Sequence, residues 1–316
     1  MFTEPVFELL VLQVGLPSAL IVLNAFVSAS SVTGLLARFL AISALLSYLA
    51  LAGIWLFPPS WTIGLLGLLH AGGTLIALTS YWRKQHRIVA WWRWGETLVA
   101  GTVAVIMLAL AGWAATGRFT PEGAIDLASP LAPGRYLVVS GGNNLGLNAH
   151  LSTLEDQRFQ TVRGQSFAVD FIAVNQLGFR TQGIVPKDPG KYRIYGASIL
   201  APCGGTIVGV TDGLPDMRVP QRDRAHLAGN HVLLECGGYF VVLAHMAPET
   251  IEVKAGEVVK AGARLGKVGN SGNTDEPHLH MHVQRGLPET NPLAGEPQWF
   301  TIDGRFLARN DILDFH

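Results

Sequence analysis

Apolar residues run almost without interruption through four stretches near the start of the chain, residues 6–27, 32–57, 61–81 and 94–115. A bilayer core about 30 Å thick takes roughly 20 apolar residues at a rise of 1.5 Å each, so each stretch has the length of a transmembrane helix. Breaks separate them: a serine-rich turn at 28–31, the pair Pro58-Pro59, and the basic run Arg83-Lys84-Gln85-His86-Arg87. Buried helices of a soluble core are the alternative, but four such runs in so short a segment leave almost no polar surface for water. The first stretch opens Met1-Phe2-Thr3-Glu4-Pro5, without a basic leader. Its apolar run is also too long for a cleavable signal, so it reads as a retained span.

From Thr116 the pattern changes to short apolar runs punctuated by Gly, Pro, Asn and Asp, which predicts strands joined by tight turns. Expected strands include 136–139, 167–174, 206–210, 232–235, 239–244, 264–268 and 279–284. The expected fold is therefore in two parts. An all-α membrane region of four transmembrane helices occupies residues 1–117, and a mainly-β domain occupies 118–316.

Charge follows the same division. The chain has 23 basic and 23 acidic side chains and is 15% charged, against roughly 25% for an ordinary soluble domain. Only Glu4, Glu8, Arg38, Arg83, Lys84, Arg87, Arg93 and Glu96 fall within residues 1–117. Zero net charge argues against a nucleic-acid partner, whose phosphates need an excess of Lys and Arg. Arg83, Lys84, Arg87 and Arg93 mark the connection between the third and fourth spans as cytoplasmic, with Arg38 on the same side. Trp82, Trp91, Trp92 and Trp94 form an aromatic belt there. The expected location is the inner cell membrane, multi-pass, with the β domain periplasmic or extracellular. Glu8, Gln13, Asn24, His70 and Glu96 are the polar residues of the spans. Intramembrane ionisable groups invite a transporter or proton-relay reading, but His70 is isolated and the acids lie near span ends, so an anchor in the lipid bilayer is expected.

The chemistry concentrates in the β half. Pro277-His278-Leu279-His280-Met281-His282-Val283 places three histidines on one face of a strand, because residues two apart share a face. A glycine-rich stretch, Gly266-Lys267-Val268-Gly269-Asn270-Ser271-Gly272-Asn273-Thr274, leads into it. Another strand ends in Leu243-Ala244-His245. A third, Phe167-Ala168-Val169-Asp170-Phe171, carries a lone carboxylate among apolar neighbours. Such a group needs donors or a cation: a metal is one reading of Asp170, a hydrogen-bonded structural acid the other. The repeat Val253-Lys254-Ala255-Gly256 and Val259-Lys260-Ala261-Gly262 has the look of carrier-domain turns, but lacks a carrier's modification motif, so Lys254 and Lys260 read as solvated turn residues.

These pieces, with Tyr195-Gly196, Ala201-Pro202-Cys203-Gly204-Gly205-Thr206 and Gly229-Asn230-His231, resemble the lysostaphin-like, LytM-type zinc metallopeptidases (metallopeptidase family twenty-three) over roughly residues 130–295. The resemblance implies a His-x-x-x-Asp motif and the second His of His-x-His as zinc ligands, which here gives Asp170 and His280. It implies catalytic roles for His245 and His278, and a peptidoglycan peptide cross-link as substrate. The chain departs at one position: Ser166 stands four residues before Asp170, where the motif has His. One reading takes His150, in Asn148-Ala149-His150, as the third ligand of a Zn2+ ion that would activate water and polarise the scissile carbonyl. The other is a degenerate domain that binds and regulates wall hydrolases. His226, His231 and His282 are weaker substitutes, and His316 is incidental. A regulatory protein partner is conceivable, with no residue to name for it. Cys203 and Cys236 are permitted a disulfide, two buried thiols being the alternative.

Overall fold

Helices Glu4–Leu10 (α1) and Leu16–Phe26 (α2) are joined by a π turn at Val11–Gly15, and Val32–Ala52 (α3), Thr62–Arg83 (α4) and Ala90–Thr116 (α5) follow. The computed structural model describes residues 4–83, 90–287, 291 and 293–315. Among these, four helical segments are long and apolar enough to cross a membrane: Val6–Phe26, Val32–Ala52, Thr62–Arg83 and Trp94–Thr116. Lys84, His86, Arg87 and His316 lie outside the described residues, as do the side chains of Trp91, Trp92 and Arg93. The chain divides into two units, Glu4–Ala115 and the part from Thr116 onward.

The helical unit has a thin core, Ile21, Ile42, Leu46 and Leu66, while Phe7, Leu68, Val99, Val105 and Leu98 point outward, each about two-thirds exposed or more. Helices apolar on all sides need an apolar surrounding, as a membrane helix does. The second span ends earlier than its hydrophobic run, at Ala52 rather than 57. Gly53 leaves helical geometry with ψ 151°. The indole of Trp55 then donates to the Leu49 carbonyl at 2.9 Å, and Gln13 closes on Ile54, accepting from its N–H at 2.6 Å and donating to its carbonyl at 3.2 Å. Three other polar side chains of the spans, Asn24, His70 and Glu96, have partners elsewhere in the helical unit. Asn24 reaches Thr74 at 3.3 Å and His70 reaches Ser43 at 3.1 Å. Glu96 takes Arg38 and the Ser30 backbone and hydroxyl. These pairings suit an anchor, since they give polar side chains contacts that lipid cannot supply.

The second unit is β-rich. Its strands are Ile125–Leu127 (β1), Gly134–Ser140 (β2), Val169–Ala173 (β3), Ser198–Leu200 (β4), Gly205–Thr211 (β5), Asn230–Cys236 (β6) and Tyr239–Met246 (β7). Then come Val258–Val259 (β8), Arg264–Lys267 (β9), Leu279–Arg285 (β10), Glu296–Gln298 (β11), Phe300–Ile302 (β12) and Ile312–Phe315 (β13). The main sheet runs β13-β2-β3-β10-β7-β6-β5-β8, with β11 also on β10. Strand β3 begins two residues later than its apolar run, because Phe167 closes a 3-10 segment at Gln157–Phe167. On β10, Leu279, Met281 and Val283 enter the core with Leu243, Val241, Phe171 and Val169, leaving His280, His282 and Gln284 on the opposite face. Strand β10 is central, and His280 lies level with Asp170 of β3 on one side and Ala244 of β7 on the other.

Cys203, just before β5, and Cys236, at the end of β6, form a disulfide with Cα atoms 6.2 Å apart. Lys254 and Lys260 are exposed beside Gly256 and Gly262, which have φ of 85° and 81°, as solvated turn residues would be.

Candidate metal centre

Four imidazoles and one carboxylate meet above the middle of the sheet. Asp170 Oδ1 lies 3.0 Å from His280 Nδ1 and 3.7 Å from His278 Nε2, and Asp170 Oδ2 lies 3.5 Å from His150 Nε2. The rings of His150 and His280 are 4.9 Å apart, those of His245 and His278 4.7 Å, and those of His245 and His280 5.7 Å. Two sets of donor atoms lie within 4.8 Å of one another, His150 with Asp170 and His280, and His245 with His278 and His280. The structure thus brings together all five residues singled out in the sequence.

Each reaches the site by a different local device. His280 and Asp170 need only the register between β10 and β3. His245 needs more. Strict alternation along β7 would send it to the core side with Val241 and Leu243, yet its φ is 63°. That left-handed residue reverses the alternation, so that Met246 fills the core and the His245 ring joins His278 and His280. The glycine-rich stretch explains itself here. A Cβ on Gly229 would lie 2.3 Å from the Ser271 carbonyl oxygen, and one on Gly272 would lie 2.4 Å from the Gly229 nitrogen. Only bare backbone allows the approach that sets Ser271 beneath His245.

Hydrogen bonds fix which nitrogen of each ring faces the centre. The His245 Nδ1–H donates to the Ser271 carbonyl at 2.9 Å, and the His278 Nδ1–H donates to the Glu276 carbonyl at 2.9 Å. The His150 Nδ1–H donates to Asn148 Oδ1 at 3.1 Å. That amide is oriented by its own Nδ2, which donates to Gly142 and Ala168 carbonyls, each at 3.1 Å. A neutral imidazole has one N–H, so all three rings present a bare Nε2 lone pair. His150 Nε2 and Asp170 Oδ2 are then two acceptors facing each other, an arrangement that calls for a cation between them.

Electrostatics agree. Burial pushes His150 down to about 4, with Asp170 working against it, and burial likewise holds His245 and His282 well below the usual histidine range. Burial works to raise Asp170, but the surrounding imidazoles, His150 first, outweigh it and keep the carboxylate ionised. Neutral imidazoles and one carboxylate, within one cation's reach, form a donor set suited to zinc.

Metal-free protein is therefore expected to lose stability as pH falls from 7 to 5. His150, His245 and His282 have folded-state pKa values below the unfolded value of about 6.5, so the unfolded chain binds more protons in that interval and stability rises with pH through it. Each fully shifted group contributes about 1.4 kcal/mol per pH unit there. Thermal melts of the metal-stripped chain at pH 7, 6 and 5 measure this, and identical transitions would contradict a cluster of buried neutral rings.

Ser166, at the departing motif position, is fully buried. Its hydroxyl donates to the Arg163 carbonyl at 2.7 Å and meets Thr153 Oγ1 at 2.8 Å, and Thr153 Oγ1 in turn holds the His150 carbonyl at 2.8 Å. Serine there braces the segment that delivers His150. Of the weaker candidates, His226 is exposed and paired with Asp223, and His231 is turned to the Gly229 carbonyl. His282 is buried behind His280. One feature escaped the sequence reading. Arg180 grips Glu276 through two bonds of 2.8 and 2.9 Å, both side chains buried, directly behind the carbonyl that orients His278. Nothing local in either segment announces a pair separated by 96 residues.

A family model described as Peptidase family M23 matches residues 192–292, which include His245, His278 and His280 but not His150 or Asp170. The peptidoglycan DD-endopeptidase ShyA of Vibrio cholerae is 31% identical over 126 residues, 36% of this chain and 29% of ShyA. The chain thus spans under a third of that curated relative. Among solved structures, lysostaphin from Staphylococcus simulans matches at 22% identity and TM-score 0.22, over 34% of this chain and 42% of that one. A putative M23 peptidase from Pseudomonas aeruginosa matches at 21% identity and TM-score 0.29, over 60% of each chain.

Proposed function

We infer, from a β-rich unit that carries a LytM-type domain of peptidase family M23, that this chain is a membrane-anchored zinc endopeptidase cleaving peptide cross-links of peptidoglycan. The observation that carries this reading is the convergence of three imidazoles on the Asp170 carboxylate, His150 and His278 through Nε2 and His280 through Nδ1. His150, Asp170 and His280 hold the zinc. Zinc, when bound, supplies Lewis-acid polarisation of the scissile carbonyl and a water activated near neutral pH. His245 and His278 stand beside it with Nε2 unprotonated. Either Nε2 accepts the proton of the attacking water, and the resulting N–H returns it to the leaving amine or hydrogen-bonds the developing oxyanion. Their Nδ1–H bonds to Ser271 and Glu276 carbonyls keep both rings in that orientation.

The helical unit supports the location. Arg38, early in α3, pairs with Glu96, early in α5, so the second and fourth spans start at the same end of the bundle. Lys and Arg cluster towards that end and in the connection between the third and fourth spans, which the positive-inside rule makes cytoplasmic. Four spans then return the chain to the outer side, where the β-rich unit meets the wall. The ShyA relative acts, by its name, on peptidoglycan, which supports the substrate.

The test is the full chain purified in detergent, assayed for zinc content and for release of cross-link peptides from purified sacculi. About one zinc per chain with cleavage is expected. A chain that holds no zinc and leaves sacculi intact would sink the enzyme reading in favour of a degenerate regulator of wall hydrolases.

A further inference from the structure

We propose that His282 is a positioning residue that accepts the Nε2–H of His280 when a metal beside Asp170 takes the His280 Nδ1 lone pair. The proposal rests on His150, Asp170 and His280 being the zinc-holding set. His280 is the odd member of the cluster. The other three rings anchor through Nδ1–H to fixed acceptors and offer Nε2, whereas His280 turns Nδ1 inward, 3.0 Å from Asp170 Oδ1. Its register between β3 and β7 dictates this, since the backbone lies level with Asp170 and Ala244. Its outward nitrogen, Nε2, meets His282 Nδ1 at 3.0 Å.

A neutral imidazole has one proton for its two nitrogens. In the structure that proton lies on Nδ1 and is donated to Asp170 Oδ1 at 3.0 Å; a metal taking the Nδ1 lone pair would leave it on Nε2. Placed on Nε2, it needs an acceptor on the buried side of the ring. His282 Nδ1 is that acceptor, on the same strand face two residues along. His282 is 1% exposed. With Nδ1 accepting, its own proton lies on Nε2. His282 thus does for His280 what the Asn148 amide and the Ser271 and Glu276 carbonyls do for the other rings. It touches neither substrate nor metal and acts only through His280. Partners of this kind typically contribute 10–100-fold to metal affinity.

The experiment compares wild type, His282→Asn and His282→Leu in the full chain in detergent micelles. Asparagine keeps an acceptor oxygen close to the Nδ1 position, and leucine removes it. Zinc affinity is read by competition with a chelator, and the hydrogen bond of the His280 Nε2–H by NMR of zinc-loaded protein with ¹⁵N-labelled histidine. Expected results are about 10–100-fold weaker zinc binding for His282→Leu and near-wild-type binding for His282→Asn. In the zinc-loaded wild type the His280 proton should sit on Nε2 and bond His282, and in His282→Leu that hydrogen bond should be lost. Equal weakening by both substitutions, unchanged affinity in His282→Leu, or a zinc-loaded wild type whose His280 Nε2–H makes no hydrogen bond would overturn the proposal. The wild-type hydrogen bond requires no substitution, so the question is decided even if leucine prevents folding. A wild type that binds no zinc overturns this proposal and the proposed function together. Tight wild-type binding that ignores His282→Leu overturns the positioning role alone.

Discussion

Asp170→Ala is expected to abolish zinc retention and to reduce cross-link cleavage about a thousandfold or more. Asp170 is the one anion among the imidazoles, and both its oxygens are used, Oδ2 towards His150 and Oδ1 towards His278 and His280. Removing it leaves neutral nitrogens to hold a dication in a buried site. The transition state also loses the several kcal/mol of charge stabilisation a metal supplies, and each 1.4 kcal/mol is tenfold in rate. His150→Ala should follow Asp170→Ala, since it removes the facing acceptor. His226→Ala, on an exposed side chain paired with Asp223, should retain both zinc and activity. Metal analysis and chromatography of digested sacculi separate the variants. Full zinc occupancy in Asp170→Ala would refute the ligand set.

The second large effect is structural. Arg180→Ala should destabilise the β-rich unit by about 3–5 kcal/mol, the usual consequence of leaving one member of a buried ion pair uncompensated. Arg180 and Glu276 side chains are only 3% and 7% exposed, so water cannot replace the lost partner. The damage should also reach the site, because the Glu276 carbonyl orients His278. Arg180→Met combined with Glu276→Leu removes both charges and should recover most of the stability. Denaturant titration of the three proteins provides the comparison, and a loss below about 1 kcal/mol in Arg180→Ala would mean that the pair is solvated.

The sequence was informative where a short-range period carries the information. Four apolar runs of span length, the alternation at 278–283 and the lone acid of 167–171 follow from local pattern alone, and the structure has the corresponding helices, strand face and carboxylate. Boundaries were less legible where the decisive contact is distant. The second span stops at Ala52 because Gln13 and Trp55 close the chain after it, and no window of local hydropathy contains Gln13. The disulfide is not decided by the sequence for the same reason, since spacing permits a bridge without placing two strand ends together. His150 could be named only through a resemblance. What brings it beside Asp170 is a brace of Thr153 and Ser166 hydroxyls and an oriented Asn148 amide. The Arg180–Glu276 pair was invisible, since each residue taken alone reads as a surface charge.

His245 combines two demands at one position. Its backbone occupies the region where glycine is most comfortable, while the site needs an imidazole there. A residue that eased the main chain would empty the ring position, and a bulkier ring-bearing residue would keep the contortion without the nitrogen. Selection for thermal robustness and selection for turnover therefore pull in opposite directions at this residue. Libraries that vary it should find few compromises, because no other side chain joins histidine's lone pair to a tolerance for that turn of the backbone.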